Sequence, residues 1–112
     1  MDLTDHVVVL TTLPPASDSD AAGFATALVE ERLAACVNIY PEMESVYRWK
    51  GQVERERERQ IVIKTTAARL EALRERVRQL HPYEMPEFIV LPVIAGSKGY
   101  LAWMMESTAG GR

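Results

Sequence analysis

The stretch ACVNIYPEMESVYRWKGQVERERERQIVIKTT, from Ala35 to Thr66, decides the fold. From Cys36 its side chains alternate with period two: Val37 and Ile39 fall on one side, Asn38 and Tyr40 on the other. The alternation resumes beyond Pro41 through Met43, Ser45, Tyr47 and Trp49. Lys50-Gly51 then supplies the positive-φ residue of a tight turn. The return holds Glu54-Arg55-Glu56-Arg57-Glu58-Arg59. On a helix this run would set like charges at i,i+4, Glu54 with Glu58 and Arg55 with Arg59. On a strand it sends the glutamates one way and the arginines the other, and it continues smoothly into Ile61-Val62-Ile63. The stretch therefore predicts one β-hairpin turning at Trp49-Lys50-Gly51. Pro41 cannot donate to a ladder, so the first arm bends there and lies at a sheet edge.

This hairpin is too long for its own chain to cover. Arms of roughly fourteen residues at about 3.3 Å each reach about 45 Å. The two main helices elsewhere in the sequence cover only about 20 Å each at 1.5 Å per residue. The outer half is left without a roof, yet it carries Val46, Tyr47 and Trp49, which favour a dry partner. Identical copies of the chain are the simplest supply.

Working outward, Val7-Val8-Val9-Leu10, extended by Thr11, Thr12 and Leu13, reads as a strand buried on both faces, hence central. Pro14-Pro15 ends it. Ser17 to Asp20 offer caps and first-turn negative charge for a helix to about Arg32, with Ala21, Phe24, Ala25, Leu28 and Val29 on its buried face. After the hairpin, Thr65 or Thr66 caps a second helix whose apolar stripe is Leu70, Leu73, Val77 and Leu80. His81-Pro82 stops it. A proline-pinned loop to Glu87 leads to a last strand, Phe88 to Val93, and then to a short helix with Tyr100, Leu101, Trp103 and Met104.

The chain's 112 residues suit a single domain, with residues 7–107 as the ordered part. A net charge of −3 argues against general affinity for nucleic acid or anionic membranes. No apolar run approaches the roughly 20 residues of a membrane span. Met1 to His6 are acidic without an apolar core, so neither a signal nor a transit peptide is expected. The single cysteine, Cys36, rules out an intrachain disulfide and a multi-cysteine zinc site, and fits a reducing cytoplasm. The sequence holds no P-loop, GxGxxG turn, HExxH helix or EF-hand loop.

The element order is β-α-β-β-α-β with a terminal helix, an α+β, ferredoxin-like sandwich. Both main helices fall on one face of an antiparallel sheet, with the second and fourth strands at its edges. Five blocks carry a more specific likeness: Glu31-Arg32-Leu33-Ala34-Ala35-Cys36-Val37-Asn38, Val46-Tyr47-Arg48-Trp49-Lys50-Gly51, Ile63-Lys64-Thr65-Thr66, Leu80-His81-Pro82-Tyr83-Glu84-Met85-Pro86-Glu87 and Tyr100-Leu101-Ala102-Trp103. In that order and spacing the chain resembles the CutA divalent-cation tolerance proteins from Val7 to Ser107. The resemblance implies a ferredoxin-like protomer, a homotrimer with hairpins packed between subunits, no catalysis, and a link to copper and other divalent cations in metal tolerance. The copper site proposed for some members uses a cysteine ending the first strand and two histidines before the proline. Thr11, Leu80 and His81 hold those places here, so only His81 matches. A trimeric ferredoxin-like design is also similar, at fold level alone, to PII signalling proteins, which makes a small anionic ligand in intersubunit clefts the alternative.

Among single residues, His81 is the best metal-ligand candidate, an imidazole held rigid by Pro82; the other reading is a histidine interacting with helix C-terminal carbonyls. Glu84 and Glu87 are either solvated or oxygen donors beside it. Cys36 reads as a small buried hydrophobe, against a thiolate ligand, a redox role, or a nucleophile paired with His81. Lys64 either snorkels to solvent or lines an intersubunit cleft walled by Tyr47, Trp49, Tyr83 and Trp103. The Glu54–Arg59 ladder is either a solvated guard of the sheet edge or a set of ion pairs between subunits.

Overall fold

A computed structural model describes residues 5–15 and 18–110, with Asp18 and Ser19 as backbone alone. Strand β1 (His6–Leu13) is followed by helix α1 (Asp18–Glu30), strands β2 (Cys36–Trp49) and β3 (Gln52–Thr66), helix α2 (Leu70–Leu80), strand β4 (Ile89–Pro92) and helix α3 (Lys98–Thr108). A single 3₁₀ turn, Ala67–Arg69, joins β3 to α2. The four strands form one antiparallel sheet in the order β2-β3-β1-β4. This is the mixed α+β, ferredoxin-like arrangement, with β1 central and β2 and β4 at the edges. No helix among the described residues is long and apolar enough to cross a membrane.

The hairpin arms are 14 and 15 residues long. Lys50 and Gly51 both take left-handed backbone, φ 50° and 80°, which closes a two-residue turn whose twist suits the flanking strands. The ladder slips once: Ile39 pairs Ile61, but the next aligned pair is Glu42 with Arg59. β2 thus places one extra residue in a bulge at Tyr40-Pro41, the kind of position where a strand tolerates proline. The long axis of the molecule is 43 Å. Its radius of gyration, 14.6 Å, exceeds the roughly 13 Å of a compact chain this size, as a projecting ribbon requires.

The core lies between the sheet and helices α1 and α2. Val7, Val9 and Leu13 of β1 and Ile61 and Ile63 of β3 meet Ala21, Phe24 and Leu28 of α1 and Leu73 and Val77 of α2. Helix α1 ends with Arg32 at φ 60°, while the Leu33 amide reaches back to the Leu28 carbonyl (2.9 Å) and the Arg32 amide to that of Val29 (3.0 Å). This Schellman closure turns the chain so that Leu33, Ala34 and Ala35 are buried before β2 begins.

Four expectations change. Val29 is 42% exposed and Leu80 37%, since each sits at the margin of its helix's apolar stripe. Thr66 precedes the 3₁₀ turn but makes no side-chain cap; its hydroxyl meets that of Thr108 at 3.1 Å, and the Thr65 hydroxyl donates to the Leu33 carbonyl at 2.8 Å. β1 is buried along its helix side, but on the opposite face only Thr12 is buried, while Val8 and Leu10 stay half-buried. Helix α3 covers just one end of that face, through Thr108 on Thr66 and Tyr100 beside Lys64. The proposed N-cap at Ser17 lies outside the described residues.

Leu73 is fully buried, so Leu73→Ala is expected to lower the unfolding free energy by about 2–5 kcal/mol. Val29→Ala should cost about 0.5 kcal/mol or less, since Val29 lies exposed at the margin of the core. Urea unfolding at one fixed protein concentration compares the two.

Candidate functional site

The alternation of β3 assigns every side chain near the candidate residues to a face. Odd positions, Ile61, Ile63 and Thr65, point to the helices, and even positions, Gln60, Val62, Lys64 and Thr66, to the open face. The candidate residues gather in two places on this frame, one at each end of the inner sheet.

The first is the corner where β1 ends. His81 caps α2, and its ring is 6% exposed. Nε2 lies 2.6 Å from the Thr12 carbonyl, and Nδ1 accepts the Tyr83 amide at 3.0 Å. A carbonyl only accepts and an amide only donates, so the ring is the neutral tautomer protonated at Nε2, with both nitrogens engaged. His81 thus latches the loop onto β1, and its free-carbonyl reading at the helix end gives way to this more distant carbonyl. Tyr83 packs against the ring in a tilted arrangement, 52° between planes, at a centroid distance of 4.8 Å. Glu84 is exposed, while Glu87 accepts a long hydrogen bond from Gln60 Nε2 at 3.4 Å. Gln60 also donates to the Thr11 carbonyl at 2.7 Å. Thr11 itself is fully buried, and its hydroxyl has no partner among the described residues. Leu80 sits with Leu13, Phe24 and Pro82 around a mostly apolar recess of about 490 Å³. Among the described residues, no three His, Cys, Asp or Glu side chains converge in a way that could hold a metal ion. One protomer therefore presents at most a single nitrogen donor here, and that donor is already engaged.

The second place is the base of the hairpin. Cys36 and Lys64 are directly opposed across β2 and β3 on the open face. Cys36 is half-buried rather than fully buried, and its sulfur lies 3.9 Å from Asn38 Oδ1. Lys64 Nζ lies 5.9 Å from the centroid of Tyr100, which in turn packs on Trp103 at 5.2 Å. His81 is level with Gln60, four residues along β3 from Lys64, or about 13 Å. The structure does not bring Cys36 and His81 together as a nucleophile and base.

The expected cleft residues divide accordingly. Trp103 accompanies Lys64, whereas Tyr47 and Trp49 stand on the outer hairpin and Tyr83 stands at the His81 corner. The Tyr47 hydroxyl donates to Glu56, and this bond, with further repulsion from Glu54 and Glu58, pushes its pKa up to about 12. Burial, and then the charges of Glu56 and Glu58, raise that of Tyr83. Both phenols therefore lie within electrostatic reach of Glu56 and Glu58. Glu56 and Tyr100 are the partners that a reading by residue type overlooks: the first is the diagonal neighbour of Tyr47, which register sets opposite Glu54, and the second comes with the docking of α3.

The family described as CutA1 divalent ion tolerance protein matches residues 7–107. The chain belongs to the CutA1 family. It is 50% identical over 101 residues to a divalent-cation tolerance protein CutA of Thermus thermophilus, covering 90% of this chain and 96% of that protein. A namesake from Pectobacterium atrosepticum is 43% identical over 105 residues, covering 94% of each. The crystal structure of CutA1 from a psychrotrophic Shewanella superposes with a TM-score of 0.90 at 36% identity, across 97% of this chain and 100% of that one. Membership in CutA1 accounts for the fold and for the name of a tolerance function; the donor geometry above is this chain's own.

Tyr47 carries a pH prediction. A phenol raised above its unfolded value contributes stability that is complete below about pH 10 and is lost as pH climbs through about 12. Ultraviolet difference titration should show one tyrosine ionising near 12, and Tyr47→Phe should delete that step while leaving the others in place.

Proposed function

We propose that this chain works as a homotrimer in the cytoplasm, catalyses no reaction, and engages divalent cations, copper(II) among them, weakly and reversibly. The observation that carries the assembly is uncovered apolar surface. Val46 is 61% exposed, Val53 63% and Trp49 48% on the outer hairpin, and Ile89 and Leu91 remain exposed on the open sheet face. Both sheet edges are unpaired in one protomer, a state that proteins seldom leave open. The number three is what likeness to the CutA family implies. The absence of catalysis is supported by the separation of Cys36 from His81.

Weakness follows from His81. A cation reaching Nδ1 must displace the Tyr83 amide, and one imidazole without converging donors makes a loose site. Glu84 and Glu87 are the nearest acidic side chains along the loop. A second reading draws support from Lys64, which stands half-buried beside Tyr100 and Trp103 and would suit a small anionic ligand where copies meet.

Sedimentation velocity at micromolar concentration should give one species at three times the 12.6 kDa chain mass; a monomer would end the assembly reading. Calorimetry with copper(II) should show low-affinity heat on the wild type that His81→Ala loses. Equal heats on both proteins would remove His81 from cation binding.

A further inference from the structure

On the helix side of the sheet, away from the hairpin and from the open face, lies the mostly apolar recess of about 490 Å³. Its volume falls within the roughly 300–1,000 Å³ of small-molecule sites. Leu13 of β1, Phe24 of α1 and Leu80 of α2 line it, so three elements meet there. Leu13 and Phe24 are each 8% exposed, whereas Leu80 keeps 37%. Gly23 lines the same recess and lies in the interior of α1, where glycine is less favourable than any residue except proline. Packing does not demand it: a Cβ at Gly23 would meet nothing within 4 Å, and Gly23 has no positive φ. What its bare backbone does is leave the recess open.

We propose that this recess binds a small amine, a molecule with one apolar body and one ammonium group. The body lies against Leu13, Phe24 and Leu80, and the ammonium faces Asp20. Charge selects this class. Among the described lining residues Asp20 carries the one charged side chain. It stands in the first turn of α1, and its full negative charge outweighs the roughly half positive charge at that helix end. Leu80 is the last residue of α2, so the recess also adjoins a helix carboxyl end, where cations are favoured. Pro14 and Pro82, which complete this side, have no backbone N–H to offer an anion. Apolar walls supply most of the attraction, and the carboxylate, being exposed to water, sets the preferred charge more than the strength. The site needs neither a second copy of the chain nor a cation at His81, so it stands or falls apart from the function proposed above.

The test is a methyl NMR titration of the full-length protein with three probes of similar shape: phenethylamine, which is an ammonium at pH 7, neutral phenethyl alcohol and anionic hydrocinnamate. Phenethylamine should shift the Leu13 and Leu80 methyl signals saturably in the millimolar range. It should bind about threefold more tightly than the alcohol and about tenfold more tightly than the carboxylate, and 1 M salt should shrink both ratios. Asp20→Asn should bring the amine down to the level of the alcohol while leaving the alcohol's affinity unchanged, a split that a merely structural role for Asp20 would not produce. Gly23→Leu, which sets a side chain at the recess, should weaken the amine and the alcohol about tenfold or more. Its helix content by circular dichroism should match the wild type, since leucine favours a helix over glycine. No saturable shift at Leu13 and Leu80, hydrocinnamate binding best, or undiminished amine binding to folded Gly23→Leu would each overturn the proposal. Should Gly23→Leu fail to fold, nuclear Overhauser contacts on the wild type decide: contacts from the phenethylamine ring to the Leu13 and Leu80 methyls support the site, and their absence overturns it.

Discussion

β3 is the reference line of this molecule. It pairs with β1 along its inner half and with β2 along nearly its whole length, so one alternation of side chains governs both the core and the projecting ribbon. Ile61, Ile63 and Thr65 face the helices because they are odd; Arg55, Arg57 and Arg59 share a face for the same reason. A slip of one residue in β3 would send the core set outward and invert the charged ladder together. Such a slip is resisted by burial at the inner end, where Ile61 and Ile63 are 1% and 0% exposed. The outer half inherits its order from that anchoring.

Much of this was legible in the sequence because it depends on short-range periodicity. The hairpin, its turn at Lys50-Gly51, the break at Pro41 and the edge positions of β2 and β4 all follow from residue alternation and from the chemistry of proline and glycine. What escaped depends on contacts between distant segments. The second face of β1 could not be judged without knowing that α3 docks at only one end. Thr66 looks like a helix cap from its neighbours alone, but its hydroxyl is drawn to Thr108, 42 residues away. Val29 and Leu80 belong to apolar stripes in projection and still lie beyond the line where helix and sheet close.

The same distinction separates the two halves of the site. His81 stood out in the sequence by its residue type and the proline that follows it, which are local facts. That its ring is committed on both sides, to a carbonyl of β1 and to the amide of Tyr83, is a matter of tertiary placement. Lys64 was recognisable as a charge in an apolar setting; that Tyr100 supplies its neighbour follows from where α3 comes to rest. His81 is thus held in structural use through both ring nitrogens.

The bulge at Tyr40-Pro41 has a consequence for how such a chain can vary. By taking up one residue of slack in β2, it uncouples the ribbon's length from the packing below it. Paired additions or deletions near the tip, one residue in each arm, would shorten or extend the projection without disturbing a single core contact. The geometry of the base is therefore set independently of how far the ribbon projects.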